Sequence, residues 1–435
     1  MDQKKSSKSL PPLLPELLAP AGSFEKLVTA VHYGADAVYL GGSKFGLRAK
    51  AGNFSDEAIR DAVIYAHQHD VKLYVTVNII AHGDDFEGLE DYLLLLHSAG
   101  VDGIIVSDPG ILVLASKIVP SLPIHLSTQA NVTNPGTASF WSSQGVSRLN
   151  LARELSLPEI LKIRETVAAE LEVFVHGALC ISYSGRCMLS NYMTGRDANQ
   201  GNCAHPCRYS YSLVEEKRPG EYFPVEEDHR GTYIFNSKDL CLLRRLPVLV
   251  AAGIDSIKIE GRMKSIFYVG GVVRIYRAAL DYLAHLDGAA WDHPENIMIP
   301  DLMLEEIART GTRDITENFF NGRPGGGEML YHSSRFDQDY EPVAVIRELR
   351  DGTPLVEARN VLLSGERIEY MERSAVSSQF IVEKMKDERG HDRERANPGN
   401  RVLLVLNGER GKLEENGIFR RRKTAKGGSS APEKL

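Results

Sequence analysis

Long apolar runs are missing from this sequence: none approaches the roughly 18 residues that a membrane-spanning helix needs. The N-terminus, MDQKKSSKSLPPLLPELLAP, is basic and then apolar, but prolines and Glu16 interrupt it, and no small-residue cleavage site of a signal peptide follows. The motifs HExxH and GxSxG are also absent, which leaves hydrolysis without a standard catalytic set. These absences predict a cytoplasmic protein with no membrane segment and with reduced thiols.

Charge of one sign is not in large excess either. The formal net charge is −7 over 435 residues, which argues against a broad surface for nucleic acid but allows a local basic patch. The segment FRRRKTAKGGSSAPEKL is such a patch, and we interpret residues 413–435 as a basic flexible tail. The length predicts one large domain followed by a smaller one.

Short apolar runs rich in β-branched residues alternate with longer amphipathic segments from about residue 16 to residue 275. The amphipathic segments, such as SFEKLVTAVHYG, begin at Ser or Asp and end at Gly, as helices do. Eight strands that alternate with helices predict an α/β fold, a closed (β/α)8 TIM-like barrel. An open doubly wound sheet is the alternative, because the number of strands alone does not establish closure. The eight runs are ELLAPAG, AVYLGG, KLYVTVNI, GIIVSDPG, PIHLSTQAN, RLNLARE, LEVFVHG and SIKIEGR.

The residues that end the strands of such a barrel face one mouth, where barrel enzymes place their chemistry. In this chain those positions are more polar than the capping of strands requires, so we expect the active site there. The polar positions are Asn78, Ser107, Asp108, Gln129, Asn131, Arg153, Glu154, His176, Glu260 and Arg262.

The seventh strand is followed by an unusually long connection. About sixty residues, 178–237, separate LEVFVHG from the helical pattern of SKDLCLLRRLPVLVAAG, whereas such connections usually take about 2–6 residues. A connection this long at the active face predicts a functional segment. Short alternating runs from about residue 340 predict a small all-β domain. The predicted order is a flexible tail at 1–14, the barrel at 15–285 with its insertion at 178–237, a helical joint at 286–339, the β domain at 340–412 and the tail at 413–435.

Four of the five cysteines lie in this insertion. Cys180 and Cys187 are seven residues apart, and Cys203 and Cys207 are four apart, so each pair shares a face if its segment is helical. Four converging thiolates suit zinc or an iron–sulfur cluster, and the spacing favours neither, because it departs from the usual patterns of both. Cys241 is predicted to open a helix, either as a small buried side chain or as a ligand that replaces Cys207.

Four segments resemble a known family. ELLAPAGSFEKLVTAVHYGADAVYLGG, EVFVHGALCISYSGRCMLSNYMTGRDANQGNC, NSKDL and IKIEGRMKS are similar to the signature segments of peptidase family U32, the collagenase-like peptidases. The resemblance covers the barrel and extends into the β domain. Within the family, AVHYGADAVYLGG, HLSTQANVTN and LARELSLPEI most resemble the branch that hydroxylates transfer RNA.

The resemblance implies an iron–sulfur enzyme that converts the wobble uridine of transfer RNA to 5-hydroxyuridine in the anticodon loop, using prephenate. It also implies a [4Fe–4S] cluster, in preference to zinc, held by Cys180, Cys187, Cys203 and Cys207, with Cys241 as the alternative fourth ligand. The family name keeps a collagenase-like peptidase as one alternative. A further alternative is a cluster-bearing scaffold that works with a paralogous partner in ribosomal RNA or ubiquinone hydroxylation.

The polar residues at the mouth would bind a prephenate-like ligand, because it carries two carboxylates and guanidinium groups bind carboxylates well. The alternative for each arginine is a salt bridge to a neighbouring carboxylate. His176 is a candidate for proton transfer or for a hydrogen bond to cluster sulfur, and its alternative is a structural hydrogen bond. The candidate carboxylate-binding residues are Arg48, Arg153 and Arg262, and the candidate catalytic residues are His176, Arg153, Arg262, Glu260 and Gln129.

Overall fold

The chain divides into two compact units, which are described separately. The first comprises Met1–Ile307 with Gly311–Phe336, and the second comprises Ala308–Thr310 with Asp337–Leu435. The computed structural model describes residues 11–46, 53–179, 189–196, 203–206, 212–213, 223–224, 236–311, 313–322, 329–330, 338–408 and 411–423.

The first unit is a closed parallel barrel. The strands of this unit, including short ones outside the barrel wall, are β1 (Glu16–Pro20), β2 (Ala37–Gly41), β3 (Lys72–Val77), β4 (Gly103–Val106), β5 (Ile124–Leu126), β6 (Arg148–Asn150), β7 (Glu170–Ala178), β8 (Ser212–Leu213), β9 (Phe223–Pro224), β10 (Asn236–Ser237), β11 (Asp239–Cys241), β12 (Ser256–Ile259), β13 (Ile315–Thr316) and β14 (Met329–Leu330). Strands β1 to β7 follow one another around the wall, and β12 closes it by pairing in parallel with both β1 and β7. The predicted (β/α)8 barrel is therefore confirmed.

Helices follow the wall strands. They are α1 (Phe24–His32), α2 (Asp56–His67), α3 (Leu89–Ala99), α4 (Pro109–Ile118), α5 (Pro135–Ser143), α6 (Leu157–Arg164), α7 (Leu189–Thr194), α8 (Leu246–Ala251), α9 (Ile266–Ala284) and α10 (Asp301–Thr310). Several of them, including α1, α2 and α9, are capped by a serine as the sequence predicts. Ser55 Oγ accepts the backbone N–H of Ala58 at 3.2 Å, and Ser265 Oγ accepts that of Tyr268 at 3.2 Å. Across the described ranges, none of these helices combines the length and apolar character needed to cross a bilayer.

Buried charges occupy the barrel interior near the amino ends of the strands. Lys258 Nζ on β12 donates to Glu172 Oε1 on β7 at 2.7 Å, and the two residues are 3% and 1% exposed. Arg148 Nη1 on β6 donates to Glu16 Oε1 on β1 at 2.6 Å and to Glu172 Oε2 at 3.4 Å. The strand pattern predicts no such network. Buried charges of this kind are tolerated only while each keeps its partner.

The second unit is an antiparallel β-barrel, which confirms the predicted small all-β domain. Its strands are β15 (Tyr340–Arg350), β16 (Thr353–Ala358), β17 (Leu362–Leu363), β18 (Arg367–Met371), β19 (Ser377–Asp387), β20 (Asp392–Arg393), β21 (Arg395–Ala396), β22 (Arg401–Gly408) and β23 (Ile418–Arg422). The wall follows the order β18, β23, β15, β16, β22 and β19, and a β18–β19 pairing closes it around an apolar core.

The boundary predicted for the basic tail at 413–435 is wrong. Its FRRR stretch lies in β23, which pairs with both β15 and β18. Arg420 is fully buried there, where its Nε donates to Glu369 Oε2 at 2.8 Å and its guanidinium lies 4.8 Å from the centre of the Tyr340 ring. The prediction failed because an arginine with a carboxylate partner can pack inside a sheet, which composition does not reveal.

The predicted helix start at Cys241 is also corrected, because Cys241 ends strand β11. This strand runs antiparallel to the end of β7 and places Cys241 opposite His176 and Asp239 opposite Ala178. Helix α8 begins only at Leu246. The two ends of the long insertion are therefore paired with each other beside the mouth of the barrel.

Candidate functional site

Arg262 follows β12 and lies inside the mouth of the barrel. Its Nη1 donates to Thr76 Oγ1 on β3 at 3.0 Å, and the residue is only 4% exposed. A Cβ added to Gly41 on β2 would lie 2.7 Å from that nitrogen, so a side chain at this position would displace the guanidinium. Lys26 Nζ donates to the carbonyl oxygen of Arg262 at 3.1 Å. The mouth thus holds an enclosed cation, as the sequence predicts.

Glu260 precedes Arg262 by two residues and is contacted by two tyrosines. The hydroxyl of Tyr39 lies 3.3 Å from Glu260 Oε2 and 3.0 Å from the carbonyl oxygen of Ile259. The hydroxyl of Tyr268 donates to the carbonyl oxygen of Glu260 at 3.2 Å. Burial raises the pKa of Tyr268 well above its usual value, so that this hydroxyl stays a neutral donor. The carboxylate is consequently fixed as an acceptor in a nearly closed space.

Gln129 lies after β5 in a network of polar side chains at the same mouth. Its Oε1 accepts from Asn78 Nδ2 at 2.8 Å and from Ser127 Oγ at 3.2 Å. Its buried Nε2 makes no hydrogen bond to any described part of the chain. Because a buried N–H without a partner costs about 1–3 kcal/mol, this donor is well suited to a ligand oxygen.

Arg153 follows β6 and is hydrogen-bonded to the last residue of β7. Its Nη1 donates to the carbonyl oxygen of Ala178 at 2.7 Å, and its guanidinium carbon lies 4.0 Å from the centre of the Phe174 ring. Its buried Nε likewise has no hydrogen-bond partner within the described ranges. The alternative considered for this arginine, a salt bridge, is not among its described contacts; it contacts a carbonyl and an aromatic face instead.

His176 contacts groups from β11 and α9 and is only 3% exposed. Its Nδ1 lies 3.3 Å from the hydroxyl of Tyr276, which donates to the carbonyl oxygen of Val175 at 2.8 Å. Its ring also contacts that of Tyr268, with centres 5.9 Å apart. A shift in register between β7 and β12 at Lys258/Ile259 accompanies this placement. The described contacts of His176 correspond to the structural hydrogen bond that the sequence left as its alternative.

Acid should destabilise the protein through His176. Burial lowers the pKa of this imidazole from 6.5 to about 4. The unfolded chain therefore binds a proton at this residue near pH 6.5, whereas the folded chain binds it only near pH 4. The corresponding stability, about 3 kcal/mol, is complete above pH 6.5 and is lost as the pH falls towards 4. We expect His176→Asn, which cannot titrate, to show a smaller drop in urea midpoint between pH 7 and pH 5 than the wild type.

The matched control for this experiment is His293→Asn, because the side chain of His293 is 74% exposed. It should show the same drop as the wild type. A drop that is equally large in His176→Asn would contradict the role assigned to burial.

Cys203 lies in a short turn in which a backbone N–H donates to its sulfur. The backbone N–H of His205 donates to Cys203 Sγ at 3.3 Å, and His205 adopts a positive φ of 57° to do so. The N–H of Ala204 donates to Ser190 Oγ on α7 at 2.9 Å, and Ser190 is fully buried. The sulfur therefore accepts one backbone N–H, and the turn that carries it is hydrogen-bonded to α7.

Cys241 has different surroundings from Cys203. It is 5% exposed, and its sulfur lies 3.9 Å from the hydroxyl of Tyr276. Burial raises the pKa of this thiol, which opposes the thiolate form that binds metals. In the part of the chain that the structure describes, no three His, Cys, Asp or Glu side chains cluster as metal ligands. The other predicted site residues, Arg48, Cys180, Cys187 and Cys207, lie outside the described residues.

Several tyrosines and one threonine of the site were missed by sequence reasoning. Tyr39 could have been found, because strand alternation places it on the same face as Gly41. Tyr268 and Tyr276 are eight residues apart on α9, a spacing that places them on one stripe of a helix. For Thr76, nothing in the local pattern indicates that it would meet an arginine from the last strand.

The model of peptidase family U32 matches residues 22–330, and that of the peptidase family U32 C-terminal domain matches residues 338–420. The chain is 41% identical to tRNA hydroxylation protein P1 of Bacillus subtilis, over 87% of this chain and 88% of that protein. It is 34% identical to tRNA hydroxylation protein P of Escherichia coli, over 86% and 90% of the two chains. An Escherichia coli 5-hydroxycytidine synthase for 23S rRNA is 35% identical over 82% of this chain and 53% of its own.

Proposed function

The chain belongs to peptidase family U32, and from that premise we propose that it is a transfer RNA hydroxylase that converts the wobble uridine to 5-hydroxyuridine, with prephenate as a co-substrate and a [4Fe–4S] cluster as its cofactor. The observation that carries the proposal is the similarity to two tRNA hydroxylation proteins along most of all three chains. The polar mouth of the barrel is the proposed site of the chemistry.

Four thiolates, from Cys180, Cys187, Cys203 and Cys207, would hold the cluster. The described turn at Cys203 fits this role, because an N–H donated to a cysteine sulfur stabilises a cluster thiolate and tunes its reduction potential. Cys241, whose buried sulfur lies 3.9 Å from the hydroxyl of Tyr276, is the alternative fourth ligand to Cys207. When bound, the cluster would supply one-electron redox chemistry. Zinc is the alternative metal for such a set, and metal analysis of the protein distinguishes the two.

Prephenate would be bound through its two carboxylates. The enclosed guanidinium of Arg262 offers one positive charge in the mouth, and burial strengthens its attraction for an anion because the surroundings are poorly polarisable. The buried Nε of Arg153 and the buried Nε2 of Gln129 offer N–H donors that no described residue uses. Arg48 remains a candidate for the same task outside the described residues. These groups bind and orient the ligand in the proposal and do not themselves react.

Glu260 is the proposed acceptor for a donor group of the substrate. Its carboxylate is positioned by the Tyr39 hydroxyl and its backbone by the Tyr268 hydroxyl, so it would keep one orientation as the ligand enters. A uracil base carries one N–H donor, which a fixed carboxylate can accept. An unstacked base in an anticodon loop needs no duplex opening to enter such a mouth.

The direct readout of this function is 5-hydroxyuridine in the transfer RNA of cells that depend on this chain. Two hypotheses compete with it, a collagenase-like peptidase and a cluster-bearing scaffold for a paralogous partner. Gelatin cleavage that survives both Cys203→Ala and chelation would support the peptidase. Activity that appears only when a paralogue is added would support the scaffold.

A further inference from the structure

Helix α7 is anchored to the turn that carries Cys203. Ser190 on its inner side is fully buried and accepts the N–H of Ala204 at 2.9 Å. Arg196, just after the helix, donates through Nη2 to the carbonyl oxygen of Cys203 at 3.3 Å. Within the helix, Thr194 Oγ1 donates to the carbonyl oxygen of Ser190 at 2.7 Å. The helix and the Cys203 turn are therefore joined by hydrogen bonds from two sides.

Tyr192 lies on the opposite side of this helix, and its side chain faces solvent. It is 89% exposed, whereas the serine two residues earlier is fully buried. Core packing therefore does not account for this aromatic residue. Its exposed neighbours are mostly polar or small, and Met193, at 41% exposed, is the apolar residue beside it. Among the residues that the structure describes in this segment, Tyr192 is a single exposed ring and not part of a broad apolar patch.

We propose that Tyr192 is the platform on which a nucleobase of a single-stranded RNA segment stacks as the RNA docks over the cysteine-bearing loop. The inference rests on the proposed function and names a residue that would recognise its RNA substrate. A single exposed ring suits a base, because any base offers a π-face for stacking and needs no further apolar surface. A protein partner would instead require a wider apolar patch. Arg196, four residues after Tyr192, carries a positive charge that would attract the RNA backbone.

The test measures the affinity of the anaerobically purified full-length protein for an anticodon stem–loop RNA with uridine at the wobble position, at one fixed salt concentration. Tyr192→Ala should weaken binding by roughly 5- to 150-fold, the range typical of one lost base–aromatic stack. Tyr192→Phe and Tyr192→Trp should bind within about 2-fold of the wild type, because both keep the aromatic face. Iron content should be the same in all variants.

Phe140→Ala is the matched control, since Phe140 is also an exposed helical aromatic, at 55%, but lies on α5 and not in the cysteine-bearing insertion. It should bind like the wild type. Wild-type affinity in Tyr192→Ala would overturn the inference while leaving the hydroxylase proposal intact. An equal loss of RNA affinity in Tyr192→Phe and Tyr192→Ala would also contradict stacking, because it would show that Tyr192 acts through a hydrogen bond of its hydroxyl group. A wild-type protein without affinity for this RNA would overturn both this inference and the RNA substrate.

Discussion

When purified without oxygen, the Cys203→Ser variant should contain little iron. It should also lose the broad absorbance at about 400 nm that marks an iron–sulfur cluster. The reason is that the substitution removes a sulfur whose position is fixed by the N–H of His205 and by the contact between Ala204 and Ser190. A hydroxyl group is a poorer ligand for iron than a thiolate and sits closer to the backbone. The measurement is the ratio of iron to protein together with the visible spectrum.

Cys241→Ala is the matched control, because it also removes one thiol near the same loop. The proposed ligand set contains Cys207 and not Cys241, and the Cys241 sulfur lies against the hydroxyl of Tyr276. The control should retain iron and colour at wild-type levels. Loss of iron from Cys241→Ala with retention in Cys203→Ser would contradict the ligand set, and a colourless wild type with stoichiometric zinc would contradict the cluster itself.

Glu172→Gln should lower the free energy of unfolding by about 3–5 kcal/mol, the usual result of removing one member of a buried ion pair. Glu172 Oε1 accepts from Lys258 Nζ at 2.7 Å, and its Oε2 accepts from Ser256 Oγ at 3.2 Å. The amide keeps the shape but leaves the Lys258 ammonium inside the barrel without its nearest negative charge. The urea midpoint of the full-length protein is the measurement.

Two further variants make this experiment specific to the buried charge. The double variant Glu172→Gln with Lys258→Met should recover much of the loss, because it removes the unpaired cation. Asp281→Asn breaks an exposed pair with Arg277 on α9, where the Asp281 side chain is 58% exposed, and should shift the midpoint little. A Glu172→Gln protein as stable as the wild type would show that the barrel does not depend on this pair.

The barrel was predictable because its signal is local and repeats eight times. Each wall strand is a short apolar run, and each capped helix starts at a residue such as Ser55 or Ser265 that bonds its own first turn. Local sequence patterns do not show which residue of a distant strand pairs with a given charged side chain. Arg420 resembled a solvated tail residue, and its partner Glu369 lies 51 positions away. Lys258 and Glu172 are 86 positions apart.

The candidate site was predictable in outline for a similar reason. Strand ends of a barrel meet at one mouth, so Arg262, Glu260 and Gln129 could be grouped before their contacts were known. The orientation of each side chain was not predictable. The shift in register between β7 and β12 accompanies contacts of His176 with Tyr276, and the formation of strand β11 by DLC places Cys241 opposite that histidine. Both depend on pairings between strands that are distant in the sequence.

The most direct measurement of the central proposal is the nucleoside profile of transfer RNA from an Escherichia coli strain that lacks its own tRNA hydroxylation protein P and expresses this chain. Wild-type protein and Cys241→Ala should restore 5-hydroxyuridine at the wobble position, and Cys203→Ser, expressed to the same level, should not. A profile that stays without 5-hydroxyuridine although wild-type protein accumulates in folded, iron-containing form would contradict the proposal.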